Sequence, residues 1–195
     1  MAVADASVWI NLAATGCADS VIRLHEGDLA ITKTALAELE RGRSKGRQAA
    51  DEIAALIHLN LVTVVDLDAD DEELFLSLVA GDAAQTLDDG EAATLVHAHR
   101  HGMTAFIDER KATSLASSRF PDLVVASTVD LLLAPGVRAG LGESALGDAL
   151  FGALIGAKMR VAAHHAAEVV ACVGRERAER CTCLPASVRR ALVAL

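Results

Sequence analysis

Residues 87–112 read LDDGEAATLVHAHRHGMTAFIDERKA, and they restrict the possible folds more than any other stretch. An acidic start leads into a helical pattern over residues 91–101, in which Glu91, Leu95 and Ala98 share one face. Gly102 is placed to end that helix as a C-cap glycine. Residues 104–107 then form a short apolar strand, with Asp108 at its carboxyl end. In parallel α/β sheets, ligands bind at that end of the strands. One carboxylate at the edge of a buried helical stripe and another at a strand's end thus point to the same sheet edge. What else reaches that edge decides the chemistry.

The chain opens with a short apolar strand over residues 3–5, ending at Asp5, and a turn into a helix. Ser7 and Asn11 follow at i+2 and i+6, where short polar side chains can orient a carboxylate. Helix capping by Asp5 or Ser7 is the competing reading. A helix over residues 20–26, stopped by Gly27, precedes a strand at residues 29–31 and a helix carrying Glu38, with Thr32 or Thr34 as its N-cap. Arg41, Arg43, Lys45 and Arg47 then put four cations into seven residues, a phosphate-contacting pattern. A helix at 49–59, a strand at 62–65, and an acidic run at 66–71 heading a helix at 72–79 come next. Beyond Asp108 the pattern gives a helix at 111–118, a fifth strand at 120–126 and a helix at 128–134. This alternation predicts an α/β fold: a parallel central sheet of four to five short strands flanked by helices.

Pro135 and Gly136 mark a break, after which only helices are expected, over 144–157, 161–173 and 186–195. Gly152 and Gly156 permit close helix packing. The expected organisation is an α/β domain over residues 1–134 and a C-terminal helical extension over 135–195, packed on it or on a second subunit.

With 52% hydrophobic residues but only 3% aromatic and no Tyr, the core must be aliphatic, and base stacking is not the main binding mode. A net charge of −9 argues against a protein that coats DNA non-specifically, yet it suits an acidic metal pocket. The start lacks the basic region of a signal peptide, and the apolar run at 149–157 is too short to span a bilayer. A cytoplasmic protein without a membrane segment is expected. Cys181-Thr-Cys183 with His164 and His165 suggests zinc, but this C-x-C spacing is tighter than that of zinc knuckles. All four cysteines therefore read as free thiols.

The acids that accumulate are Asp5, Glu38, Glu91 and Asp108, with no Cys–His pair, nucleophile elbow or Walker loop beside them. Carboxylates brought together repel and raise each other's pKa unless a cation neutralises them. Mg²⁺ or Mn²⁺, which take oxygen ligands, suit that role. Such an ion can polarise a phosphodiester and acidify an attacking water.

Four segments carry a family resemblance. ADASVWINL at 4–12 resembles D-x-S-x-x-I-x-L, and ITKTALAELERG at 31–42 resembles I-T-x5-E-L-x-x-G. Gly90-Glu91-Ala92 and Ile107-Asp108-Glu109, with Ala112, resemble a "GEA" and "IDD-x-x-A" subgroup. In this order the segments resemble PIN-domain proteins, the ribonuclease fold of VapC-type toxins. The resemblance implies a metal-dependent endoribonuclease with Asp5, Glu38, Glu91 and Asp108 as ligands of Mg²⁺ or Mn²⁺. Asp89 is an alternative third acid, and Glu109 stands where the subgroup carries a second Asp. Ser7 and Asn11 would tune the site, while Arg41, Arg43, Lys45, Arg47, Arg110 and Lys111 would hold RNA. The implied partners are single-stranded or looped RNA, a small antitoxin and a second copy of the chain. The alternative is a degenerate PIN fold that binds RNA or protein without cutting.

Overall fold

The computed structural model describes residues 1–43, 49–83 and 85–193. Among them, five short strands form one all-parallel sheet: β1 (Ala2–Ala4), β2 (Leu29–Thr32), β3 (Val62–Val65), β4 (Thr104–Phe106) and β5 (Val125–Ala126). Their order is β3-β2-β1-β4-β5. The chain builds outward from β1 to β2 and β3, then returns to place β4 on the other side of β1. The β1/β4 boundary is therefore the topological switch point, where an open parallel sheet leaves a crevice at its carboxyl edge. Register pairs Ala4 with Phe106 across that boundary, so Asp5 and Asp108 both leave the sheet at this edge.

In chain order the first helices are α1 (Ala6–Ala14), α2 (Ala18–Leu24), α3 (Lys33–Arg43), α4 (Ala49–His58), α5 (Glu72–Val79), α6 (Asp89–His101), α7 (Arg110–Arg119) and α8 (Thr128–Leu133). After them come α9 (Pro135–Gly152), a π-helical turn (Ala153–Ala157), α10 (Ala166–Val173), α11 (Arg175–Glu179) and α12 (Ala186–Val193).

The helix at the centre of the argument, α6, is buried all round from Gly90 to Ala98 rather than on one face. It is packed by α3, α5 and α7 and by β1, β2 and β4, and a helix so enclosed need not be amphipathic. Gly102 ends it in the left-handed conformation (φ 60°), with its N–H donating to Ala98 O. The core around it is aliphatic, built from Val3, Leu78, Leu95, Val96, Ile107 and small alanines. Trp9, fully buried, spends its indole N–H on Ala4 O at 3.0 Å and so ties α1 to β1.

Two sequence expectations need correction. The fifth strand is two residues long, because α7 runs to Arg119 and Pro121, which has no N–H for a ladder, follows at once. The break expected at Pro135 is instead a helix start. Pro135 occupies the first turn of α9, where its missing N–H costs nothing, and the kink falls at Gly142 (φ 75°).

The chain forms two compact units: residues 1–9 with 27–127, and residues 10–26 with 128–195. The first holds the sheet. The second takes the end of α1 and all of α2 in addition to the C-terminal helices, so its border is not a single cut after residue 134. Within it, helices approach at glycine. A Cβ on Gly152 would lie 2.6 Å from Ala14 O, and one on Gly147 would lie 2.5 Å from Cys172 O. Among the described residues, no helix is long and apolar enough to cross a membrane.

Candidate functional site

Asp5 is placed by β1, and its backbone N–H donates to Phe106 O at 3.1 Å. The side chain divides its labour. Oδ2 accepts from Ser7 N (3.2 Å) and Ser7 Oγ (2.9 Å), capping the start of α1. Oδ1 is buried and has no hydrogen-bond partner. A carboxylate 3% exposed is costly to keep ionised; burial raises its pKa, the Ser7 bonds pull it down, and the charge of Asp88 raises it further.

The other acids arrive from α3 and from the start of α6. Thr32 Oγ1 accepts from Ala35 N (3.1 Å) and so caps α3, which carries Glu38 half-buried one turn on. Asp88 caps α6: its Oδ1 accepts from Glu91 N at 2.9 Å, and Glu91 Oε2 accepts from Asp88 N at 3.4 Å. This is a capping box closed by two acids. Gly90 stands between them, and the space its missing Cβ would fill is lined by carboxylates. That Cβ would lie 2.7 Å from Glu38 Oε2, 3.3 Å from Asp5 Oδ1 and 3.6 Å from Asp88 Oδ1. The missing Cβ lets these carboxylates approach the helix backbone closely; it does not serve an unusual φ.

Glu91 is 6% exposed and its pKa is pushed up to about 8, first by burial and then by the charges of Asp88, Asp5 and Glu109. Asp108, 5% exposed, stands at the carboxyl end of the strand next to Asp5. The structure thus brings Asp5, Glu38 and Glu91 into one neighbourhood and puts Asp108 on the same sheet edge. Asp88, absent from the acids singled out above, belongs to the group. The D-x-x-E capping pattern over residues 88–91 was its available signal. Asp89, the alternative third acid, is exposed on the first turn of α6. Glu109 is exposed and caps α7 by accepting from Lys111 N; it acts on the group through its charge on Glu91. Asn11 belongs to the second unit, where its Nδ2 donates to Thr128 Oγ1 at 3.3 Å.

The expected phosphate contacts fare unevenly. Arg41 is exposed at the end of α3, while Arg43 is held by Asp51 at 2.8 Å. Lys45 and Arg47 lie outside the described residues. Arg110 and Lys111 line an open cleft of about 560 Å³ along α7, together with Gln85, Ser114 and Arg119. Lys111 is anchored by Nζ on Ala83 O at 2.6 Å, and Arg119 donates to Ser77 Oγ at 2.9 Å. Glu109 also lines this cleft and acts electrostatically on Glu91, so the cations and the acids adjoin. Arg119 is a cation that the sequence pattern did not single out.

All donors in the acidic group are carboxylate oxygens, one of them buried without a partner, around a backbone with no side chain in the way. This set fits a hard divalent cation of the Mg²⁺ or Mn²⁺ kind, which takes oxygen ligands and relieves their repulsion. The DUF3368 PIN-domain family model matches residues 1–175. This chain belongs to the PIN-domain family. No curated protein and no solved structure matches it. PIN domains are generally nucleases that use divalent metals, and the five-stranded parallel sheet is that of an α/β PIN-like fold. In this PIN domain the match continues past residue 134 to take in α9 and α10.

Proposed function

We propose that this PIN domain is a metal-dependent endoribonuclease in which Asp5, Glu38, Glu91 and Asp108, with Asp88 beside them, hold Mg²⁺ or Mn²⁺. The observation that carries the reading is Asp5 Oδ1, buried without a partner at the sheet's switch point and facing the same Cβ-free space as the Glu38 carboxylate. Burying an acceptor in this way costs free energy unless something binds it. When bound, the cation supplies charge neutralisation and Lewis acidity toward a phosphodiester.

The chain's own residues do the rest. Ser7 orients Asp5 by holding Oδ2, which leaves Oδ1 as the donor. Without a cation, Glu91 holds a proton near neutral pH and gives it up when a cation arrives, as metal binding to raised-pKa ligands requires. Arg110 and Lys111 line the adjoining cleft, where a phosphate backbone can be gripped without reading sequence. A single strand fits this arrangement better than a duplex, because its backbone can bend into an acidic crevice. In the toxin setting, a small antitoxin segment covers this edge and a second copy of the chain completes a homodimer.

The deciding measurement is cleavage of single-stranded RNA with Mn²⁺, for the natural protein and for Asp5→Asn combined with Asp108→Asn. Cleavage by the first and not the second is expected. Equal cleavage by both sinks the mechanism, and a folded natural protein that neither binds Mn²⁺ nor cuts RNA is a binding module instead. Growth arrest on expression, relieved by the product of a neighbouring short gene, tests the toxin setting.

A further inference from the structure

The second unit carries another donor cluster, of different chemistry and independent of the nuclease reading. His164 and His165 sit on the turn that leads into α10, and Asp130 projects from α8. His165 Nε2 lies 2.8 Å from Asp130 Oδ1. The two imidazoles lie with centroids 4.0 Å apart and planes tilted by 47°. One donor atom from each of the three residues falls within 4.8 Å of the other two. Two ligand atoms each about 2.1 Å from a tetrahedral ion stand about 3.4 Å apart. The Asp130–His165 pair needs little adjustment to reach that spacing, and His164, which is exposed, can swing to complete it.

We propose that Asp130, His164 and His165 form a binding site for a borderline transition ion of the Zn²⁺ class. Two imidazole nitrogens and one carboxylate oxygen suit Zn²⁺, Co²⁺ or Ni²⁺ and disfavour Mg²⁺ and Ca²⁺, which take oxygen donors. The His165 Nε2–Asp130 Oδ1 contact already sets the two groups side by side, and an entering ion would take the place of the proton they share, which is released to solvent. The side chains of His165 and Asp130 are 15% and 41% exposed, sheltered from bulk water yet open to an entering ion. Three protein ligands leave a fourth position for water or another ligand.

The histidines therefore find a partner that the C-x-C spacing did not suggest. The cysteines are engaged elsewhere: Cys181 Sγ donates to Arg177 O and Cys183 Sγ to Leu154 O, each at 3.3 Å. No cysteine joins the group among the described residues.

The test uses the full chain, stripped with a chelator and held in millimolar Mg²⁺ so that hard-cation sites are occupied. Co²⁺ is titrated in and followed by its visible ligand-field absorption, with Zn²⁺ as competitor. One equivalent of Co²⁺ that Zn²⁺ displaces and Mg²⁺ does not is expected. His164→Ala and His165→Ala should each weaken it by at least about tenfold, the lower end of what supporting residues alone contribute. Asp5→Asn with Asp108→Asn should leave the titration unchanged. An absent Co²⁺ signal, a signal untouched by both histidine variants, or one lost in the aspartate double variant overturns the site. Should His165→Ala fail to fold, His164→Ala, on an exposed side chain, decides alone, and retained affinity refutes the proposal.

Discussion

The acids of the sheet unit and the histidine cluster of the helical unit are built in opposite ways. At the sheet edge, Asp5, Glu91 and Asp108 are each no more than 6% exposed, and several do double duty as helix caps. In the other unit, donors stand on a helix and a turn, partly in water. The histidine cluster is nonetheless the tighter one. Among the described residues, its three donors alone lie within 4.8 Å of one another. Two imidazoles and a single carboxylate share no like negative charge and can approach without a cation, whereas four or five carboxylates repel one another until a cation neutralises them. Burial plus like charge makes the first cluster energetically unsatisfied as it stands; softness of the donors makes the second selective. The two should therefore respond to different ions, different mutations and different pH.

The largest expected effect separates them by activity. Asp5→Asn combined with Asp108→Asn should lower Mn²⁺-dependent RNA cleavage by more than about 100-fold, beyond the 10–100-fold range for residues that only support a ligand. His164→Ala should leave that rate unchanged. Initial rates on a labelled single strand measure both, and a matching loss in the two variants would erase the distinction.

Next is the pH dependence of stability without metal. The Glu91 carboxyl has an ordinary value of 4.5 and is pushed up to about 8 in the fold. Between those values the folded chain keeps a proton that the unfolded chain releases, so raising the pH favours unfolding. Asp5 shifts in the same direction. His97, buried and shifted below 6.5, acts oppositely: the unfolded chain takes up its proton first, and stability falls as pH drops below that value. The melting temperature of chelator-treated protein should therefore peak in the mildly acidic range and decline toward pH 8, by several degrees where each kcal/mol is worth about 2–4 °C. Adding Mn²⁺ should help most at the alkaline end, where Glu91 has least proton to lose. A flat profile, with or without Mn²⁺, breaks the account of a strained acidic cluster.

These expectations show why parts of the molecule were legible in the sequence and others were not. The alternation of short apolar runs with helical periods is local, so the parallel sheet and most helices follow from it. The Gly102 stop and the Thr32 cap follow for the same reason, since each is settled within one turn. Asp5, Glu38, Glu91 and Asp108 could be collected because each ends a strand or sits in a recognisable motif. Asp88 was harder: it reads as a cap, and it is one, yet the same oxygen lines the space at Gly90. Capping and ligand-lining are not exclusive, because one carboxylate oxygen has two lone pairs. The enclosure of α6 was hidden because periodicity reports one face, while contacts from α3, α5 and α7 come from distant sequence. Asp130 meeting His165 across 35 residues has no sequence signal at all.

A finer probe is Gly90→Ala. In the first turn of a helix, alanine is favoured over glycine by up to about 1 kcal/mol, so propensity alone predicts no loss of stability. The added Cβ, 2.7 Å from Glu38 Oε2, is accommodated by moving the end of a flexible side chain. The variant should melt within a few degrees of the natural protein but bind Mn²⁺ about tenfold more weakly, a displaced ligand costing about 1.4 kcal/mol. Calorimetric titration reads the affinity. Undiminished Mn²⁺ binding would mean that Glu38 is not a ligand, while Co²⁺ binding at the histidines should not move.

The smallest effect divides the two roles of Asp88. Asp88→Asn keeps an oxygen to accept from Glu91 N, while it removes one of the charges that raise Glu91. Asp88→Ala removes both, and loss of an N-cap costs about 1 kcal/mol. Without metal, the alanine variant should therefore be less stable than the natural protein by about that amount, measured by denaturant unfolding. The asparagine variant should match or exceed the natural protein, most clearly at alkaline pH, where repulsion from Asp88 is fully developed. With Mn²⁺ the order should change: the natural protein, with every carboxylate in place, should gain more than the asparagine variant. An asparagine variant as unstable as the alanine one would mean that Asp88 serves the fold through its charge at the helix N-terminus. The repulsion that distinguishes this cluster from the histidine site would then have to come from Asp5 and Glu109 alone.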